Sequence, residues 1–373
     1  MRGVVATEHE DTGARRQARH VTRRGGGDRV TIAMVARAAG VSVPTVSKVL
    51  NGRDAVGPRT RRRVEDALAA TGYRRRGRSE PGRAGLVDFV ITELDTAWAC
   101  ELLRGAEHEA YRLGARLVLT VTHDRQAHPR EWFRSLASRR TDGVVLVLSS
   151  RTRLIAAERL RSIDAPVVVI DQMGGYEHDV PAIGATNWAG GFAATEHLTG
   201  LGHRRIGMIT GPDDVPCGLE RLDGYRAALG RAGLSPDEDL VRRGDFYAGG
   251  GRRGAAELLD LPDPPTAVFA GSDQQAMGVY DEARARGLRI PADLSVVGFD
   301  DVDMCEWVTP RLTTVRQPLA EMAVLAVRDV LERAHAPGEP PPRLELSTRL
   351  VVRESTAPWR PPPARARAAR RRR

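Results

Sequence analysis

Between residues 85 and 300, seven apolar runs alternate with stretches of helical spacing, and no other feature of the chain limits its fold more. The runs are GLVDFVIT (85–92), ARLVLTV (115–121), DGVVLVL (142–148), APVVVID (165–171), RRIGMIT (204–210), TAVFAGSD (266–273) and LSVVGFD (294–300). Strands this continuously apolar are buried on both faces, which is the condition of a parallel sheet covered by helices. Residues 98–113, 188–200, 218–232 and 274–286 supply such helices. The number of units implies two α/β lobes, and ligands of such sheets sit beyond the carboxyl ends of the strands. The residues at those ends include Thr92, Asp171, Gln172, Asn187, Phe246, Tyr247, Ser272, Asp273, Asp300 and Asp301, with Arg221 opening a helix. Carboxylates, amides and an arginine beside aromatic rings suit a sugar, whose paired hydroxyls take bidentate partners and whose ring faces stack. Taken singly, each Asp or Asn is explained by capping the next helix. Their recurrence at successive ends argues for one shared cleft.

A different pattern precedes residue 84. In VARAAGVSVPTVSKVLNG (35–52), Thr31 caps a helix with apolar positions Ile32, Val35, Ala36 and Ala39, and Gly40 ends it. Ser42 caps a second helix, where Pro44 is tolerated in the first turn, and Val46, Val49 and Leu50 form its buried face. A third helix runs from near Pro58, buries Val64, Ala67 and Leu68, and stops at Gly72. This is the arrangement of a helix-turn-helix, with Val43, Pro44, Ser47 and Lys48 turned outward to the major groove.

Charge supports that reading. Residues 1–83 hold 19 basic and 8 acidic residues, residues 360–373 hold seven arginines and no acid, and the 31 basic and 40 acidic residues between them leave a net of −9. A basic head on an acidic body points to a polyanion touched at one end. The composition is 41% hydrophobic, enough for real cores. Cys100, Cys217 and Cys305 are odd in number and far apart, suggesting neither a disulfide framework nor a zinc site and fitting a reducing cytoplasm. No apolar run reaches the ~20 residues of a membrane span. Arg23 and Arg24 precede a moderately apolar stretch, but Asp28, Arg29 and Arg37 interrupt it, against an export signal.

The quoted head, continued through VGPRTRRRVEDALAATGYR, resembles the amino-terminal signature of lactose/galactose-repressor-type (LacI/GalR) transcription regulators over about 45 residues. The resemblance puts Val43, Pro44 and Lys48 at base-reading positions, where Lys48 donates to guanine and the apolar pair meets a thymine methyl. Thr45, Ser47 and Asn51 then hold phosphates, and the caps Thr31 and Ser42 are expected at the DNA as well. The body is similar to the same family in ATNWAGGFAATEHLTGLGHRRIGMITG, ERLDGYRAAL and GSDQQAMGVYDEARARGLRIPADLSVVGFDDVD…PRLTTVRQP. The implied fold is a small all-α helix-turn-helix domain followed by a two-lobed, periplasmic-binding-protein-like (type I) core with parallel sheets. Matching those motifs places Trp98, Asp171, Arg221, Phe246, Ser272, Asp300 and Gln317 at effector contacts; the strand-end reading adds Asp273. Many relatives carry asparagine where Ser272 stands, so the particular sugar stays open.

The implied organisation is a basic arm (1–29), the DNA-binding domain (30–76), a short basic linker (77–84), the core (85–355) and a Pro/Arg tail (356–373), both ends being disordered. One lobe takes residues 85–185 with 318–340, the other 186–315 with 341–355. Relatives place a hinge helix with a wedging leucine after GYR, whereas RRRGRSEPGRAG follows Tyr73 here. Arg74, Arg75 and Arg76 are therefore expected on phosphates or in a narrow minor groove. The expected partners are a pseudo-palindromic operator duplex, a sugar effector and a second copy of the chain, with no cofactor, no metal and no membrane.

Two rival classes stand beside this one. GGGRRG (249–254) satisfies G-x-G-x-x-G, with Asp273 following at a strand end as a ribose-binding acid would, which suggests an NAD(P)-dependent enzyme. An exported sugar-binding protein accounts for the body but leaves the head unexplained. DDVD (300–303) has hard-cation chemistry but also the composition of a ligand clamp. The nine histidines show no metal spacing such as HExxH, and no GxSxG elbow occurs.

Overall fold

A computed structural model describes residues 31–50, 56–71, 84–122, 136, 141–147, 163–171, 180–335 and 343–360. The expected arm, Asn51, the arginines Arg74, Arg75 and Arg76, and the tail beyond residue 360 lie outside the described residues. The chain divides into two units, Met1–Arg78 and Ser79–Arg373.

In the first unit, helices α1 (Ile32–Ala39), α2 (Val43–Leu50) and α3 (Pro58–Thr71) close on a core of Val35, Ala36, Ala39, Val46, Val49, Val64 and Ala67. Thr31 Oγ1 accepts from the Met34 amide, and Ser42 Oγ from the Thr45 amide, so both expected caps are made. Gly40 turns the chain at φ 61°, a left-handed conformation that only glycine takes without penalty. Arg63 of α3 donates from Nη2 to the carbonyls of Ala39 and Gly40 at 2.6 and 3.3 Å, tying the turn to the third helix.

The second unit has two lobes. The first is built on β1 (Leu86–Ile91), β2 (Arg116–Val121), β3 (Gly143–Val147), β4 (Val167–Ile170), β5 (Ala182–Ala185) and β11 (Leu344–Leu346). Their order is β11-β5-β4-β3-β1-β2, every pair parallel, with Phe89 beside Val145 in the β1–β3 register. The second is built on β6 (Ile206–Ile209), β7 (Val241–Arg242), β8 (Ala267–Ala270), β9 (Ser295–Asp300), β10 (Thr313–Arg316) and β12 (Arg349–Val351). Its order is β12-β10-β9-β8-β6-β7, parallel except for β12.

Helices cover these sheets as the apolar strands require. On the first lobe, α4 (Ala97–Arg112) and α10 (Leu319–His335) bury Leu102, Ala106, Met322, Ala326 and Val330 against Val87, Phe89 and Ile91. On the second lobe, α5 (Asn187–Gly200) and α6 (Pro216–Arg231) pack Leu198, Leu222 and Tyr225 against Met208 and Phe269. The opposite face takes α7 (Ala248–Leu259) and α8 (Asp273–Ala285), through Leu258, Ala276 and Val279. One further turn of helix, α9 (Met304–Trp307), follows β9. Among the described residues no single helix is long and apolar enough to cross a membrane.

The chain crosses between lobes at Thr186, at Gln317–Pro318 and at residues 347–348. Two crossings are laced together: the Thr348 amide donates to Thr186 Oγ1 at 2.9 Å, and the Thr186 amide to the Leu346 carbonyl at 3.0 Å. The expected boundaries need two corrections. Residues 344–346 belong to the first lobe, because β11 pairs along β5 and completes that sheet. The second lobe also extends past residue 355: Ala357 donates to Ser295 Oγ, and the Trp359 amide to the Leu201 carbonyl.

Candidate functional site

The carboxyl ends of both sheets face a cleft of about 430 Å³. Its first-lobe wall comes from the turn after β1, with Thr92, Glu93, Thr96 and Trp98, and from Asp171 after β4. Its second-lobe wall comes from Asp214, Cys217 and Arg221 around the start of α6, from Asp245, Phe246 and Tyr247 before α7, and from Ser272 and Asp300. Four non-glycine residues among those described have positive φ, namely Asp171, Phe246, Asp300 and Asp301, and three of them line this cleft. Such backbone strain persists where surrounding structure over-determines it, and it gathers at ligand sites.

Arg221 is the centre of the polar floor. Its side chain is 3% exposed. Nε donates to Asn187 Oδ1 at 2.9 Å, and Nη1 to the Gly271 carbonyl at 2.6 Å. Asp300 Oδ1 lies 3.9 Å from the same Nη1. The guanidinium rests on the Phe299 ring, 3.8 Å from its centroid, with Phe246 further off at 5.6 Å. Burial raises the Asp300 carboxyl well above the ordinary aspartate range, and Arg221 opposes that shift. Asp171 moves the same way for the same reason, and its buried Oδ1 has no hydrogen-bond partner among the described residues. The floor therefore presents one buried carboxyl oxygen, Asp171 Oδ1, that a group on a guest can satisfy.

Of the expected effector contacts, Trp98, Asp171, Arg221, Phe246, Ser272 and Asp300 line the cleft together. Two do not. Asp273 is fully buried as the first residue of α8, where Oδ1 accepts from Thr314 Oγ1 at 2.5 Å and Oδ2 from the Val302 amide at 3.0 Å. It ties α8 to β10 and to the turn after β9. Gln317 stands behind Asp300 at a lobe crossing, donating Nε2 to Asp300 Oδ1 at 2.6 Å and its amide to the Asp300 carbonyl. It orients a cleft residue without lining the cleft. Ser272 lines it, but its hydroxyl caps α8 at the Gln275 amide and donates to the Phe246 carbonyl at 2.7 Å, fixing the strained loop.

Glu93, Thr96, Asp214 and Cys217 were not singled out from sequence. They sit one to several residues past a strand end, where no periodicity marks them. Glu93 accepts a hydrogen bond from the Tyr247 hydroxyl, so one residue of each lobe meets across the cleft. Gly250, Gly251 and Gly254 of GGGRRG serve packing. A Cβ on Gly251 would come within 2.1 Å of the Gln275 carbonyl oxygen, and one on Gly278 within 2.1 Å of that of Ala248. The run lets α7 and α8 cross backbone to backbone. The dinucleotide reading is accordingly corrected. Asp301 of DDVD is taken by Arg353 at 2.7 Å, and among the described residues no acidic, His or Cys group has metal-holding geometry.

In the first unit, Val43, Pro44 and Lys48 are exposed on the outer face of α2, with Val43 40% accessible. Thr45 and Ser47 are half-buried on the same helix, and Ser42 and Thr45 share a hydroxyl–hydroxyl bond of 2.9 Å.

Comparison with known proteins gives matches for both units. Residues 31–76 match the model of bacterial regulatory proteins of the lacI family, and residues 195–356 match a periplasmic binding protein-like domain. The chain is 33% identical over 332 residues to the HTH-type transcriptional repressor CytR of Escherichia coli (strain K12), covering 87% of this chain and 96% of that one. A transcriptional regulator CelR–cellobiose complex is similar with a TM-score of 0.68 and 37% identity, over 88% of this chain and all of that one. The lac repressor dimer bound to operator and the anti-inducer ONPF gives a TM-score of 0.66 and 26% identity, with the same coverage.

Proposed function

The chain belongs to the lacI family of bacterial regulatory proteins, and on that premise we propose that it is an operator-binding repressor of carbohydrate-utilisation genes. Its hold on DNA is set by a small sugar in the interlobe cleft. It works as a homodimer in the cytoplasm, on the nucleoid, without catalysis of its own. One head reads too few bases to be selective, so two heads on a self-associating body read a near-palindrome. The similar CelR structure holds cellobiose, and the similar lac repressor structure is an operator-bound dimer.

The observation that carries the reading is the outer face of α2. Val43, Pro44 and Lys48 are exposed while Val46 and Val49 of the same helix are closed into the core. On this assignment Lys48 reads guanine, Val43 and Pro44 meet a thymine methyl, and Thr45, Ser47 and Asn51 hold phosphates. Selection from a random duplex library should recover a near-palindrome. Lys48→Ala should then weaken binding about tenfold to a hundredfold at one base pair per half-site and leave the others unchanged. Enrichment of no sequence, or a monomer that protects a whole operator, would overturn the assignment.

A further inference from the structure

The three crossings join the lobes along one side of the cleft. They follow β5 and β11 in the first lobe and β10 in the second, strands at or next to one edge of each sheet. That side is packed as well as joined. Val302, in the turn after β9, belongs to the first-lobe core, and Met304 packs against the same core. The Asp300 carbonyl beside them accepts from the Gln317 amide at a crossing.

The other side holds a different tie. Glu93 follows β1, and Tyr247 lies in the loop from β7 to α7, both toward the opposite edge of their sheets. The Tyr247 hydroxyl donates to Glu93 Oε2, and both residues line the cleft. At about 4.8 Å between strands, the pair stands roughly 15–20 Å from the crossings. A lobe rotation of about 10° opens a gap of about 3 Å at that distance, more than a hydrogen bond survives. Both ends of the bond are held. Asp245 Oδ1 accepts from the Tyr247 amide at 2.9 Å, and its Oδ2 from Arg253 Nη2 at 3.2 Å. Ser272 Oγ donates to the Phe246 carbonyl, and the Phe246 ring lies against Gly211. In the first lobe, Leu94 and Trp98 pack on the core, and Thr96 caps α4. The Tyr247–Glu93 bond therefore answers to movement of whole lobes rather than of loose loops.

We propose that the Tyr247–Glu93 pair is an interlobe latch that gates the cleft: it must open for the effector to pass, and it sets how fast the effector enters and leaves. The inference rests on the effector reading above and concerns the regulation of that site. Both partners belong to the chain, so the bond closes with or without a guest and contributes to both states alike. It acts on rates and leaves affinity nearly unchanged, which separates a latch from a residue that holds the effector.

The test replaces Tyr247 by Phe in the full chain, keeping the ring and removing the donor. In the protein alone, amide hydrogen exchange at residues 92–99 and 244–250 should quicken about tenfold, the weight of one hydrogen bond. Stopped-flow binding follows tryptophan fluorescence, since Trp98 lines the cleft. The probes are cellobiose, maltose, lactose, ribose and glucose 6-phosphate. For each one bound, association and dissociation should both rise about tenfold, with Kd changed by no more than about twofold. Glu93→Gln, whose amide oxygen still accepts from the hydroxyl, should fall between wild type and Tyr247→Phe. Faster dissociation with unchanged association would make Tyr247 an effector contact and overturn the latch. Unchanged rates for a bound sugar overturn the gating, and unchanged exchange overturns the latch whatever the sugars do. If no probe binds, the sugar reading fails on its own and the exchange measurement still decides the latch.

Discussion

Asp273 shows how far a residue's place in a motif and its work can diverge. Burial pushes its carboxyl up to about 6, against hydrogen bonds from Thr314 and Val302 that pull it down. An unfolded aspartate titrates near about 3.9. Between those values the folded chain holds the extra proton, so this contribution is complete below the lower value and is lost as pH rises through the upper one. Asp273→Asn keeps both hydrogen bonds, because an amide oxygen accepts from Val302 while the Thr314 hydroxyl turns to accept. The variant should therefore lose less stability between pH 4 and 6, a difference on the order of 2 kcal/mol, and should bind effector as wild type does. Chemical denaturation across pH measures the first and calorimetry the second; an unchanged pH slope would sink the account. Arg221 is the opposite case, a motif residue at the heart of the cleft. Arg221→Lys keeps the charge but cannot reach Asn187 and Gly271 together, so effector binding should fall by about 2–4 kcal/mol with operator affinity retained. A normal response at the usual effector concentration would remove Arg221 from the pocket. Strand ends mark where such residues gather, but not that Asp273 turns beneath the floor or that Gln317 stands behind it. Side-chain direction at a helix start depends on tertiary partners, here β10 and the turn after β9.

At the scale of elements, the first unit was legible because each of its signals is local. Caps, a glycine turn and helical spacing agree with one another, and Val35, Val46 and Val64 are fully buried as that spacing requires. The turn is also where the unit is most exposed to damage. Gly40→Ala must hold an L-residue at φ 61°, and its Cβ would sit 2.8 Å from the Arg63 guanidinium. The expected cost is about 1–2 kcal/mol. It should appear as faster hydrogen exchange across residues 31–50 and weaker operator binding, with effector affinity unchanged. Equal exchange in the two proteins would show that the turn tolerates the change. Long apolar strands were equally plain, whereas the sequence reading named neither β5 nor β10. AIGA and TTVR are four residues each, too short for a periodicity; β5 is a strand through its pairing with β4 and β11, and β10 through its pairing with β9 and β12. Glycine misled in α7 for a related reason. A run that reads as phosphate-binding chemistry in one dimension is a helix crossing in three.

At the scale of the whole molecule, charge and chain path matter most. The basic first 83 residues and the acidic body make operator binding strongly salt-dependent, and Arg74 and Arg75 are proposed to contribute through phosphates. Replacing both by alanine should lower the slope of log affinity against log salt by about two, with little change in the ratio of operator to random DNA. An unaltered slope would reduce that stretch to a tether. The three crossings between lobes have a different consequence, and it falls on synthesis. β1 to β4 of the first lobe are complete by Ile170, yet α10, which covers their Phe89 face, begins at Leu319. Roughly 150 residues separate the two. At about 5–20 residues per second, a ribosome takes roughly 10–30 s to deliver that helix. Throughout that interval the growing chain carries four strands whose Phe89 face has only α4 over it, and a message truncated before codon 319 yields a protein with the rest of that face wet, for chaperones to hold and proteases to clear.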